Sequence, residues 1–282
     1  VLGIKQVAEH GCSDVAVTSF AVGTLSAVAF VRRQRRIVDP MIDLALFSDR
    51  VFSGAIVANL LSLMGYAGFV FFAAQFLQLG MGLSPLAAAT ALLPGLVVTV
   101  LAGFAAVRLV RFVPARVLVA SSFVMSAAGY AIASFVGTPS TGSIMLAFTV
   151  LGLGIGLAET LTNDLMLSSV PPFKAGAASA ISETAYEVGA VLGTAVLGSV
   201  LTSTYRSHLT MPSQIQWGNS DSSFETYGGT VELAREYPVM FGDHLMHAAQ
   251  VAFDLGVQRT SAVAIAIALA AALVAWRSLK DA

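Results

Sequence analysis

Charge is what this sequence has least of. Lys, Arg, Asp and Glu together make up 11% of its 282 residues, where a soluble domain carries about a quarter. A chain so poor in charge cannot cover a water-facing surface, which excludes a soluble enzyme or binding domain and leaves a polytopic membrane protein. Cysteine is nearly absent. Cys12 stands alone, which excludes an intrachain disulfide and argues against a cysteine metal site. The few Arg and Lys residues fall in short turns rather than on one face, so no nucleic-acid surface is indicated. No Ser/His/Asp, Cys/His or nucleotide-binding constellation stands out, so neither enzyme chemistry nor a cofactor is predicted. The first apolar segment lacks a basic leader and a small-residue cleavage site, so it does not read as a signal peptide. Residue 1 is Val, and the chain is expected to be the C-terminal part of a longer one.

What is abundant is apolar surface: 56% of residues are hydrophobic and the mean hydropathy is +0.81. Seven runs are long enough to cross a bilayer as helices. They cover Val15–Val31, Phe52 to about Leu79, Leu86–Val107, Val117–Val136, Ile144 to about Leu167, the long stretch from Pro171 to Leu201, and about Thr260 to Trp276. The fold class is therefore all-α. The chain divides into residues 1–50 (the end of a preceding span, one helix and a polar link), 51–204 (five spans), 205–257 (a polar loop) and 258–282 (the last span and a tail). Pro94 and Gly95 inside the third span predict a kink.

Basic residues mark the turns at 32–50, 108–116 and 172–174 and the C-terminus, whereas the turns at 80–85 and 137–142 have none. The 205–257 loop is net acidic, with six acidic and two basic residues. These two classes alternate along the chain. By the positive-inside rule the basic turns and the C-terminus are cytoplasmic and the long loop is outside.

Carboxylates inside such spans are costly and are functional candidates by default. Glu183 and Glu187 lie one turn apart on one face of the sixth span. Burial and mutual repulsion would poise them to exchange a proton for a cation, although either could instead bond to a neighbouring helix or reach the headgroups. Glu159 lies deep in the fifth span, and Asp164 lies nearer the interface. In the second span Asn59, Ser62 and Tyr66 form a polar stripe, and these three with Phe69 and Gln75 are cavity candidates; the Tyr66 and Phe69 rings could contact a cation or simply pack. Gly152-x-Gly154-x-Gly156 has the look of half a phosphate loop, but with no strand before it close helix packing is the reading, as it is for Gly189-x-x-x-Gly193. Asp243, His244 and His247 have helical spacing that could suit a metal, but a solvated helix face is favoured over a metal site. Leu245, Ala249, Ala252 and Leu255 predict a short helix lying on the outer surface.

Several stretches resemble one family. Arg35-Arg-Ile-Val-Asp-Pro-Met-Ile-Asp-Leu-Ala-Leu-Phe47 is similar to its basic stop and link. Gln75-Phe-Leu-Gln-Leu-Gly80, Leu83-Ser-Pro85 and Leu92-Leu-Pro94 resemble its turn into the next span. Pro171-Pro-Phe-Lys-Ala-Gly176 and Ser182-Glu-Thr-Ala-Tyr-Glu-Val-Gly189 resemble its penultimate span. The family is that of the drug:proton antiporters with fourteen spans in the major facilitator superfamily, within it the subgroup that exports quaternary ammonium compounds. The resemblance implies a C-terminal six-helix bundle preceded by one span, in the bacterial inner membrane, with the N-terminal half of the transporter as its partner. It implies export of lipophilic cations in exchange for protons, with Glu183 and Glu187 at the family's acidic positions and Tyr186 between them in the cavity set. Some subgroup members carry an Asp in the third span of this half, where this chain reads Pro94-Gly-Leu-Val-Val-Thr99. Two alternatives stay open: an exporter of another metabolite in the same superfamily, and a membrane accessory subunit that transports nothing.

Overall fold

The computed structural model describes residues 3, 4, 6, 13–37, 42–135, 140–210, 222–236 and 238–280. The features read at Cys12, at Asp39-Pro40 and at residues 136–139 lie outside these. The described residues form helices and turns, with no strand among them. Eight α-helices appear in chain order: α1 (Asp14–Gln34), α2 (Arg50–Gln75), α3 (Pro85–Leu109), α4 (Ala115–Phe135), α5 (Thr141–Ser168), α6 (Ala175–His208), α7 (Tyr227–Glu236) and α8 (Val239–Ser278). Seven of them, all but α7, are long and apolar enough to cross a bilayer, in the order that hydropathy predicts.

Local chemistry sets the helix starts. Asp49 caps α2 by accepting from the Phe52 amide at 2.8 Å. Ser84 caps α3 through the Ala87 amide, with Pro85 in the first turn, where its missing N–H costs nothing. Ser140 and Ser143 form a reciprocal capping box at the start of α5. At its far end α2 widens into a π-helical turn, Phe76–Gly80, closed by the Met81 amide donating to the Phe76 carbonyl. Gly82 then reverses the chain with φ of +67°, a conformation that suits glycine.

The helices pack as two linked sets. α5 lies against both α3 and α4, while α2 pairs with α6, and α8 contacts α4, α6 and α2. Small residues let the backbones approach closely. A Cβ at Gly156 would collide with the Thr99 carbonyl, and one at Gly193 with the Met64 carbonyl. The glycine motifs of the fifth and sixth spans are thus packing faces. The largest apolar cluster is rich in rings: Phe69 lies 4.7 Å from Phe72 and 5.5 Å from Phe148, centre to centre. α1 stands apart, with its apolar side chains exposed around its circumference.

One expectation is corrected. Leu245, Ala249 and Ala252 do not belong to a short helix lying on a surface; they are fully buried within α8. α8 has 40 residues and so spans about 60 Å, roughly twice the hydrocarbon thickness. Its first half stands beyond the apolar stretch and packs with α7 and the far ends of α2 and α6. Tyr227 stacks on Phe253 at 4.3 Å, and the Tyr205 hydroxyl donates to Thr230 Oγ1 at 2.7 Å. Much of the sequence read as a polar loop over 205–257 is therefore a folded cap. Asp243, His244 and His247 lie exposed on its helical face. Among the described residues no group of three or more His, Cys, Asp or Glu side chains is placed to hold a metal.

Candidate coupling and substrate site

Glu159 is the carboxylate that the fold encloses. α5 presents it, half-buried, to a groove between α3 and α5 with a volume of about 360 Å³. Thr99, Val100, Gly103, Phe104 and Val107 of α3 line one wall, and Gly156, Glu159 and Thr160 of α5 line the other. The two threonine hydroxyls are already engaged, Thr99 with the Gly95 carbonyl and Thr160 with the Gly156 carbonyl, each at 2.9 Å. The carboxylate is the one charged group in a mostly apolar lining. The Tyr186 hydroxyl of α6 lies beside the Glu159 carboxylate, close enough to interact with it. Tyr66 of α2 is close enough to feel the Glu159 charge, and its ring stacks on Phe148 at 6.0 Å. Three helices thus converge on one acid.

A second polar junction lies on the same helices. Asn59 Nδ2 donates to Ser182 Oγ at 3.4 Å, and the Ser182 hydroxyl donates to Asn163 Oδ1 at 3.3 Å. This chain ties α2, α6 and α5 together four residues, about one turn, beyond Glu159 on α5.

The structure sorts the sequence candidates. Tyr66 and Tyr186 are brought to Glu159. Glu183 has an exposed side chain but lies near enough to Tyr186 to interact with it electrostatically. Glu187, also exposed, has no partner among the described residues. The shielding that was expected for this pair is found at Glu159 instead. Asn59 is 1% exposed and belongs to the interhelical junction, not to an open wall. Ser62 is buried beside a space of about 10 Å³ between α2, α4 and α8, far smaller than the groove. Phe69 is fully buried in the ring cluster. Gln75 is half-buried at the far end of α2, and Asp164 is exposed.

The sequence profile of the Major Facilitator Superfamily matches residues 15–194. The chain belongs to that superfamily. It is 42% identical over 275 residues to the multidrug efflux pump LfrA of Mycolicibacterium smegmatis, an overlap of 97% of this chain and 55% of LfrA. It is 29% identical over 271 residues to the methyl viologen resistance protein SmvA of Salmonella typhimurium, covering 94% of this chain and 54% of SmvA. The tetracenomycin C resistance and export protein of Streptomyces glaucescens is 30% identical over 206 residues, 72% of this chain and 38% of that protein. This superfamily member thus spans about half the length of the relatives that it matches most fully.

Several groove residues of this superfamily member are missing from the sequence reading. Phe104 and Gly103 sit in a span that is apolar all round, so nothing in their neighbourhood marks one face. Thr99 was noted only as a place where an acid might have stood. The structure puts it across the groove from a carboxylate supplied by α5. Ser182 and Asn163 carry a signal that could have been read: small polar residues in apolar spans commonly bond across helices.

Proposed function

We propose that this chain is the C-terminal half of a fourteen-span, proton-coupled exporter of lipophilic cations, related to the quaternary ammonium type, and that Glu159 is its principal coupling carboxylate. The observation that carries this reading is the position of Glu159, beside Tyr186, on an open, mostly apolar groove with room for part of a drug-sized molecule. A bare carboxylate there attracts a cation that the apolar walls and the Phe104 ring can hold. A proton arriving on the carboxylate removes the attraction, and the cation leaves. Alternating access then moves one proton inward for the cation that moves out. Glu183, on the exposed face of α6 beside Tyr186, serves as a relay between the groove and water, with Glu187 one turn further along. Drug export is supported by LfrA and by the other resistance proteins that the chain resembles. The orientation follows the Arg-rich turns: the inner membrane is the location, and the C-terminus is cytoplasmic.

The test is proton-driven uptake of tetraphenylphosphonium into inverted membrane vesicles carrying the full-length transporter. Glu159→Gln should still reach the membrane but lose gradient-driven transport, and Glu183→Gln should slow it. Full gradient-dependent transport by Glu159→Gln would overturn the assignment.

A further inference from the structure

α4 and α8 contribute no residue to the groove, yet together with the end of α3 they build a second distinctive surface. Arg116, in the first turn of α4, lays its guanidinium over the Trp276 ring near the end of α8, 4.4 Å from its centre. Arg277 follows Trp276, and Lys280 lies one turn later. Arg108 and Arg111 close α3 and enter the turn that leads to α4. Val110 and Val113 of that turn pack on the same apolar cluster as Leu118 of α4 and Ala275 and Leu279 of α8. The five cations therefore share one end of the bundle. None has a carboxylate partner among the described residues, where the ion pairs are Lys174–Asp43 and Arg206–Glu225. Two rings project beside them: Phe112 is 84% exposed and Trp276 is 45% exposed.

A merely solvated basic turn does not require this arrangement. A guanidinium held over an indole is partly immobilised before it binds anything and still has N–H donors to offer, which suits a phosphate oxygen pair. A large exposed ring on the inter-helix turn and an indole at the helix end are what the boundary between headgroup and acyl chain favours. Cations and large exposed rings thus occur together at one end of the bundle.

We propose that this corner of α3, α4 and α8 is a binding site for the phosphate headgroup of an anionic lipid, with Arg111 and Arg116 on the phosphate and Phe112 and Trp276 among the acyl chains. The site is independent of what the protein carries, because it shares no residue with the Glu159 groove. Its occupancy would clamp the ends of α3, α4 and α8 to one another.

Native mass spectrometry of the full-length protein, released from detergent with phosphatidylglycerol or phosphatidylcholine, tests this directly. Phosphatidylglycerol should be retained in preference to phosphatidylcholine. Each lost cation should weaken that retention about five-fold, in Arg116→Gln and, should that variant fail to fold, in Arg111→Gln, whose side chain is exposed in the turn. Arg116→Lys should retain part of the binding, and Arg206→Gln, at the opposite end, all of it. Equal retention of the two lipids would overturn the proposal, as would unchanged binding in both glutamine variants. Displacement of the lipid by inorganic phosphate at equal concentration would also overturn it, by marking a free-anion site.

Discussion

Tyr186 is the residue through which the proposed chemistry is most exposed to a single-atom change. Its hydroxyl lies beside the Glu159 carboxylate, and the residue is half-buried. Tyr186→Phe keeps the ring and removes the donor. A hydrogen bond to a charged group contributes about 1.5–3 kcal/mol, so cation export should slow on the order of ten-fold or more, with the melting temperature nearly unchanged. An equal loss of folding and transport would instead mark Tyr186 as a packing residue. Which acid lies in the groove was not legible from residue order. Glu159, Glu183 and Glu187 all sit in apolar helices, and a helix that is apolar on every side does not announce which face meets a neighbour. The three-dimensional pairing of α5 with α3 settles it for Glu159. Tyr66 was legible, because its spacing from Asn59 and Ser62 defined a polar stripe. That stripe nonetheless divides: Asn59 joins helices, while Tyr66 stacks on Phe148 within reach of the Glu159 charge.

At the scale of elements, the spans were legible because each is a long apolar run bounded by turn residues, and the glycine motifs were legible because small residues spaced along one face are what close helix contact requires. Position matters more than glycine itself, and a pair of substitutions separates the two. Gly193→Val drives a side chain into the Met64 carbonyl of α2 and should destabilise by about 1–3 kcal/mol, as overpacking does. Gly176→Ala, where a Cβ meets nothing within 4 Å, should be neutral or stabilising by up to about 1 kcal/mol. Thermal unfolding in detergent measures both.

The strap between α1 and α2 is a second element whose role the sequence hid. Asp43 caps a 3₁₀ turn, Leu44–Ser48, through the Ala45 amide and pairs with Lys174 at the foot of α6. Leu46 is thereby seated against Met166, Ala178 and Ile181. The hydrogen bond from Lys174, and then that from the Ala45 amide, hold the Asp43 carboxyl below its ordinary value of 3.8. Because the folded value is the lower one, the stabilisation is fully present above the ordinary value and is lost as the pH falls through the folded value. Asp43→Asn should therefore melt below the parent protein at neutral pH, and the gap should close in acid, below about pH 4. A gap independent of pH would show that the carboxylate charge contributes nothing.

For the whole molecule, the decisive dimension is the length of α8. Hydropathy found its last seventeen or so residues because lipid demands an unbroken apolar run. It missed the first half because that half packs on protein, where alternating small and polar residues suffice. A helix of 40 residues cannot lie within a hydrocarbon layer about 30 Å thick without leaving roughly half its length in water. In the proposed orientation, with the Arg-rich turns inside, that half lies outside. His244 is exposed on it, whereas Lys280 lies beyond the other end. In a background carrying Cys12→Ser, a cysteine introduced at position 244 should react with a membrane-impermeant maleimide in intact cells. One at position 280 should react only after the cells are opened. The reverse pattern would invert the orientation, and with it the side from which the proposed mechanism delivers a proton to Glu159. Protection of both positions in intact cells would mean that the cap of α7 and α8 is folded away from the outer water, contrary to the exposure of its Asp243, His244 and His247 face.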